Sequence, residues 1–395
     1  MKLCTLIGSL AAVFRADASA LTSGPDSKVF VLEVDRDVES PFVCDAQLPA
    51  MFRVEREIVA SLRASPYVTR NASEATWVLV AIQPIRYQYC AKAREKPRTG
   101  LWKYALRASA IAVNNHIIPW LMTLPYWARR RGMDHLFLFA SGAGPMIYKQ
   151  IDAFKYTGVI LTTSYEGPTP EWPRVVVVPA NSRPLLAEMA VIDGSARAFA
   201  AKTTAGFFRG LLGDEHNPEY SFGTRQLLHA EMIRTRATTS RAPPLQIAQG
   251  NVADAVFARE LDSARFCLAL PGHFAFTPRN VQFLHAGCVP ANVSPYGTDN
   301  GYPRYPSAVH LPFERTIDWG GFSLTVDQQV VKTPGALLRT LLEVTPERWA
   351  ELVAGMNAVR LKFIWEVHGG MAWTTLVKEL HWWTPPSSQT PEEGK

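Results

Sequence analysis

Cysteine is scarce, five residues in 395, and no two are spaced C-x-x-C, which removes the commonest structural zinc patterns. G-x-G-x-x-G, the Walker A pattern and G-x-S-x-G are missing too, so a dinucleotide fingerprint, a P-loop and a nucleophile elbow all lack support. After Leu3–Phe14 no apolar run approaches the ~20 residues of a membrane-crossing helix. No basic run is interleaved with stacking aromatics, so nucleic acid is not an expected partner. The densest cationic cluster, Arg129-Arg130-Arg131, reads as a solvated loop. No internal repeat is visible, and no paired acids suggest a glycoside hydrolase. Charged residues make up 19% against 47% apolar, a globular balance rather than a disordered one.

What is present begins with an excess of positive charge, +6 with a pI near 9.0, which favours anionic ligands. The N-terminus, MKLCTLIGSLAAVFRADASA, has a basic start, an apolar stretch and a small-x-small site. Residues 1–20 therefore read as a signal peptide cut after Ala20, with a short uncleaved anchor as the alternative. In an oxidising compartment the remaining four cysteines would pair. Cys44–Cys90 and Cys267–Cys288 are favoured because each pair stays within one expected domain; four buried thiols are the alternative. Of two sequons, Asn71 sits in a polar turn and is a glycosylation candidate, whereas Asn292 falls in a buried-strand pattern.

Length suggests about two domains. β-rich runs at 29–34, 75–82, 136–139 and 175–178 alternate with helical patterns at 52–62 and 106–122, which argues for a parallel α/β layer. A second series follows: 204–211, a helix at 223–233, a weak strand at 244–248 and a helix at 253–261. It continues with a strand at 265–270, a helix at 277–286 and a strand at 289–294. Helices are expected at 334–342 and 346–365. The expected division is a first domain over 25–195, a second over 196–345, C-terminal helices over 346–383 and a disordered tail over 384–395.

One stretch carries chemistry. Phe266–Leu270 is continuously apolar, as in a strand buried on both faces. Pro271-Gly272 breaks it, Thr277 fits an N-cap and Pro278 the first helical position. Val281 and Leu284 face inward, and Gly287 suits a left-handed cap. Ligands of parallel sheets bind beyond the carboxyl ends of strands, where a helix N-terminus offers free N–H groups. Arg279 adds a guanidinium in the first turn, and Gln282 follows on the same side. Together they suit a diphosphate; an ordinary β-α-β crossover with a surface arginine is the competing reading.

The same stretch resembles the exostosin-like glycosyltransferases, family 47. The resemblance rests on Phe266-Cys267-Leu268, Pro271-Gly272, Thr277-Pro278-Arg279 and Gly287-Cys288-Val289-Pro290. It extends to Leu311-Pro312-Phe313-Glu314, Ile317-Asp318-Trp319 and Phe322-Ser323. Upstream it takes in Pro125-Tyr126-Trp127, Gly132-Met133-Asp134-His135 and Phe207-Phe208-Arg209-Gly210, in order. The resemblance implies an α/β, GT-B-like fold of two Rossmann-like domains facing across a cleft. It implies an inverting, metal-independent transfer from a nucleotide sugar, a UDP-sugar, to a glycan or glycoprotein in the Golgi lumen. No cofactor beyond that substrate is implied, and a homo- or hetero-dimer stays open.

The expected donor-binding residues are Arg209, Gly210, Gly272, Thr277, Arg279 and Gln282. Arg209 could equally be a structural ion-pair partner. Asp134 and His135 are candidate acid–base residues, although a residue that precedes a strand lies at the end away from the ligand. His273, Phe274 and Phe276 could line the site or fill the core. Asp35-Arg36-Asp37 reads as turn chemistry. The chain departs from the family in two places. Where many relatives carry a His-Asp pair it has Ala140-Ser141-Gly142, and one turn after Arg279 it has Gln282 in place of a glutamate. These departures support the alternative of a non-catalytic carbohydrate-binding or assembly partner.

Overall fold

The computed structural model describes residues 27–45, 47–48, 53–94, 101–140, 158–163, 174–180, 191–213, 220–238, 244–272, 277–294 and 310–383. The expected signal peptide, the tail and His273, Phe274 and Phe276 lie outside these residues. Among the described residues no helix is long and apolar enough to cross a membrane.

Two parallel sheets organise the chain. The first runs β2-β1-β3-β4-β5-β6, built from Val29–Leu32 (β1), Val68–Thr69 (β2), Trp77–Val80 (β3), His135–Phe139 (β4), Val159–Thr162 (β5) and Val175–Val177 (β6). The second runs β11-β10-β9-β7-β8, from Thr204–Gly210 (β7), Leu245–Gln249 (β8), Ala264–Ala269 (β9), Val289–Ser294 (β10) and Leu324–Asp327 (β11). Every recorded pairing is parallel, so neighbouring strands must be joined by crossovers, and helices lie in the β1–β2, β3–β4, β7–β8, β8–β9 and β9–β10 connections. β3, β4 and β5 are buried along their whole length, which explains their continuous apolar sequence. The fold is α/β and compatible with two Rossmann-like halves in a GT-B arrangement.

Both sheets share one winding. In each, the first strand lies between the second and the third, so strand order reverses between β1 and β3 and again between β7 and β9. Such switch points leave a crevice at the carboxyl ends of the two strands, because their crossovers depart to opposite faces.

Some elements differ from expectation. The helix expected at 106–122 is a Leu101–Ile111 helix, a π-turn at Ala112–Ile117 and a short Ile118–Met122 helix. Pro119 explains the interruption, since it has no N–H for the α-helical ladder. The long helix expected at 346–365 stops at Val359 and tightens to a 3-10 turn over Arg360–Phe363. Disulfides join Cys44 to Cys90 and Cys267 to Cys288, the favoured pairing. The second fastens β9 to the start of its neighbour β10.

After the second sheet the chain returns to the first half. The Trp373 indole N–H donates to Ile58 O at 2.8 Å, and the Val367 N–H donates to Ser61 Oγ at 3.2 Å. Glu366 receives the N–H groups of Trp373 and Thr374 at 2.7 and 3.3 Å, capping the Ala372–His381 helix. Burial raises the Glu366 pKa from 4.5 to about 7, against the pull of those N–H groups. The folded chain therefore holds the proton more tightly than the unfolded chain does. Its stability should fall as pH rises from about 4.5 to about 7 and then level off. Glu366→Gln, which keeps an acceptor oxygen, should gain in Tm over the native chain as pH is raised through that window. An equal Tm difference at pH 4.5 and pH 7.5 would refute the shift.

Candidate functional site

Two arginines meet at the switch point of the second sheet. Arg225 stands in the first turn of the Thr224–Thr238 helix and is 5% exposed. It bridges the two diverging strands: Nη1 donates to Leu211 O at 2.7 Å, just past β7, and Nη2 to Leu270 O at 3.1 Å, just past β9. Nη1 also donates to the Tyr220 hydroxyl at 2.5 Å. Arg279 opens the Arg279–Ala286 helix and is half-buried. Its guanidinium lies 5.3 Å from the centre of the Phe208 ring, and that of Arg225 lies 4.7 Å from it. One buried aromatic thus carries both cations.

Neither guanidinium pairs with a carboxylate among the described residues. Burial pulls the pKa of Arg225 down to about 10; Tyr220 opposes this and the like charge of Arg279 adds to it. Burial lowers that of Arg279 too, with Tyr220 opposing. Both residues also occupy helix N-termini, where the macrodipole favours anions and penalises cations by about 0.3–1 kcal/mol each. Desolvation, mutual repulsion and two helix dipoles all oppose this pair. An anion binding between them would reverse the last two penalties at once.

The expected glycines serve the arginines. A Cβ on Gly210 would come within 2.8 Å of Arg279 Nη2 and 3.0 Å of Phe208 Cζ, so only glycine lets the guanidinium lie across the end of β7. A Cβ on Gly272 would approach Arg225 Nη2 at 3.3 Å, and the Gly272 carbonyl accepts the Ser221 N–H at 2.9 Å. Ser221 and Phe222 both have left-handed backbone, with φ of 60° and 51°, a costly conformation for non-glycine residues. This turn holds Tyr220 against Arg225. Thr277 is not the N-cap: Pro278 occupies that position, and the Thr277 hydroxyl accepts the Arg279 N–H at 3.4 Å. Gln282 follows one turn on, half-buried, with no side-chain hydrogen bond among the described residues.

Arg209 belongs elsewhere. Side chains alternate along a strand, so Arg209 shares the face of Phe207 while Phe208 faces the arginine pair. Arg209 Nε donates to Glu260 Oε2 at 2.7 Å, Nη2 reaches Oε1 of the same carboxylate, and Nη1 donates to Gln249 O at 3.2 Å. The structure therefore assigns it the ion-pair role, with its charge consumed by the Asp254–Asp262 helix.

Asp134 and His135 are likewise corrected. They stand at the amino end of β4, away from the carboxyl ends where ligands bind, and both are fully buried. Asp134 accepts Arg129 Nη2 at 2.6 Å and Nε at 3.1 Å, and it bonds His135 Nδ1 at 2.8 Å. The His135 ring packs on Trp127 with centroids 5.3 Å apart. Burial opposes ionisation of Asp134, but the bonds from His135 and Arg129 outweigh it and hold its pKa below the usual range. Asp134→Asn should therefore cost about 3 kcal/mol of stability while leaving kcat per folded molecule unchanged. Denaturant melts paired with active-site titration would check both; a kcat loss at full stability would restore Asp134 to the chemistry.

Other expectations resolve locally. Asp35 caps the Arg36–Glu39 turn by accepting the Asp37 N–H at 2.8 Å. Asn71 is exposed, its side-chain oxygen taking the Ser73 N–H and hydroxyl at 3.0 and 2.7 Å. Asn292 is buried in β10 and donates to Ser323 Oγ at 3.3 Å. A cavity of about 610 Å³ lies at the opposite, amino end of the second sheet, beside Lys202, Ser263 and Gly287. Three helices end there, and Lys202, Arg259 and Arg360 match their negative ends.

Arg225 was the residue that sequence reading missed. Its signal was a cation in the first turn of the helix that comes after a parallel strand in the chain.

A family model for the Exostosin GT47 domain matches residues 23–341. The chain belongs to the exostosin GT47 family. A probable glucuronoxylan glucuronosyltransferase of Arabidopsis thaliana is 24% identical over 334 residues, 80% of this chain and 63% of that protein. A probable arabinosyltransferase of the same plant is 24% identical over 282 residues, 70% of this chain and 54% of that protein. Exostosin-like 1 of Mus musculus is 35% identical over 88 residues, 22% of this chain and 11% of that protein. The chain thus spans less than two-thirds of the length of each of these GT47 relatives. The family match takes in both sheets, the arginine pair and both disulfides.

Proposed function

We propose that this chain is a glycosyltransferase that moves a sugar from a nucleoside-diphosphate donor, a UDP-sugar, to a glycan or glycoprotein acceptor with inversion. The observation that carries the reading is the acid-free pair Arg225 and Arg279 at the switch point between β7 and β9. A diphosphate seated there meets two guanidiniums at the start of the Arg279–Ala286 helix, whose macrodipole favours an anion. In a single displacement at the anomeric carbon, negative charge grows on the departing diphosphate. Donors fixed in a water-poor setting stabilise that charge without reorganising, so the charge a metal could neutralise falls to the arginines. Arg225 is preorganised by three acceptors, whereas among the described residues the Arg279 guanidinium rests against Phe208 and Gly210 without a hydrogen bond and can adjust to the ligand.

Gln282 lies one turn beyond Arg279, where its amide can donate to and accept from a ribose hydroxyl. Two of the three relatives are named as a probable glucuronosyltransferase and a probable arabinosyltransferase, which supports a hexosyl or pentosyl donor. Two disulfides support folding in the secretory pathway, and with it a Golgi or secreted location.

The test is release of free UDP when the purified protein is offered a panel of UDP-sugars with and without acceptor glycans. Turnover with one donor, stimulated by acceptor, supports the reading. No turnover with any donor, alongside retained glycan binding, would support the non-catalytic alternative that Gln282 and Ala140-Ser141-Gly142 favour.

A further inference from the structure

The first sheet carries the opposite charge at its corresponding edge. Glu55, in the first turn of the Val54–Ala64 helix, is 2% exposed. Its Oε1 and Oε2 take the Ile85 N–H at 3.4 and 3.2 Å, and Oε1 takes the Ala140 N–H at 3.3 Å. Ile85 stands in the first turn of the Pro84–Arg94 helix that follows β3, and Ala140 follows β4, so the carboxyl group spans the carboxyl ends of two central strands. No cation among the described residues pairs with it. These bonds are long for N–H···O contacts, and two N–H groups leave part of the acceptor capacity of a carboxylate unused.

Anchoring two N–H groups needs only a neutral oxygen. An ionisable group buried there costs several kcal/mol more when charged, so its retention needs another reason. The Val54–Ala64 helix thus brings a carboxyl group to the carboxyl end of β4.

Resting on the transferase reading above, we propose that Glu55 is the proton acceptor of the transfer. Its carboxylate takes the proton of the acceptor hydroxyl as that oxygen bonds to the anomeric carbon. The bond from that carbon to the diphosphate oxygen breaks, and its electron pair leaves with the diphosphate. Burial raises the Glu55 pKa well above the ordinary carboxylate value, against the weaker pull of the Ala140 and Ile85 N–H groups, and a carboxylate of raised pKa is the stronger proton acceptor. Of the groups around it, Tyr87 is close enough to interact electrostatically, and its hydroxyl donates to Glu39 at 2.7 Å. From the segment packed behind the helix come Glu366 and His368, and His368 bonds Glu57 rather than Glu55.

Glu55→Gln keeps an oxygen for both N–H groups and removes the base. With the best donor and acceptor from the panel, its kcat should fall at least about 100-fold, with UDP affinity by calorimetry within about twofold. Glu55→Asp should retain intermediate activity. A Glu55→Gln enzyme within about fivefold of the native kcat, with Glu55→Ala inactive, would reduce the residue to a tie between strands and overturn the proposal. If Glu55→Gln does not fold, the native kcat profile decides. It must fall with falling pH well above the ordinary carboxylate value, and a profile flat down to about pH 4.3 overturns the proposal. Failure of the transferase reading looks different: the native protein then releases no UDP from any donor.

Discussion

Arg279→Ala is expected to weaken UDP binding by more than about tenfold, because losing a charge-assisted hydrogen bond costs at least about 1.5 kcal/mol. The same change should leave Tm unchanged or slightly raised. The guanidinium makes no hydrogen bond to a described residue, and removing it relieves the repulsion with Arg225 and a mismatched helix dipole. That combination, weaker binding without lost stability, separates a ligand-holding cation from a structural one. Arg225→Ala should lower both. It strips a donor from the carbonyls of Leu211 and Leu270 and from Tyr220, so the crevice itself loosens. Native affinity should also decline with added salt, since Arg279 is only partly screened from solvent. Isothermal calorimetry with UDP at two ionic strengths checks the affinities and thermal melts check Tm; unchanged affinity in Arg279→Ala would remove the diphosphate from this crevice.

Trp373→Ala carries the second large effect. Trp373 is fully buried, and its indole reaches the Val54–Ala64 helix of the first half at Ile58 O. Deleting a buried tryptophan costs about 3–5 kcal/mol. Trp373→Phe keeps most of the packing and loses the hydrogen bond, so it should cost roughly 1 kcal/mol through the bond and some packing besides. Urea melts of the three proteins would rank them, and a loss under about 1 kcal/mol in Trp373→Ala would show that the returning segment contributes little. The activity effect should follow stability, because the segment holds the helix that bears Glu55.

Much of this architecture was written in local sequence. The apolar runs of β3, β4 and β9 are buried on both faces and so carry no alternation to misread. The Phe266–Pro290 stretch announced its strand, break and helix through Pro271, Pro278 and Gly287. What escaped was set by distance. β5 was missed although Val159–Thr162 is apolar, and the edge strand β2 has two residues and almost no pattern. Arg209 and Arg279 look alike in sequence; one residue of strand alternation sends the first to Glu260 and leaves Gly210 to admit the second. Asp134 and His135 form a motif, yet their place at the amino end of β4 puts them at the wrong end of the sheet. Glu55 gave no sequence signal, since its meaning comes from backbone N–H groups 30 and 85 residues further along.

The return of the chain has a cost during synthesis. Ile58 leaves the ribosome 315 residues before its partner Trp373. The early layer must therefore wait, with one helix face bare, until the segment carrying Val367 and Trp373 has been made. Late closure of this kind slows maturation and exposes nascent chains to clumping, so demand for chaperones should track how quickly residues 366–380 emerge.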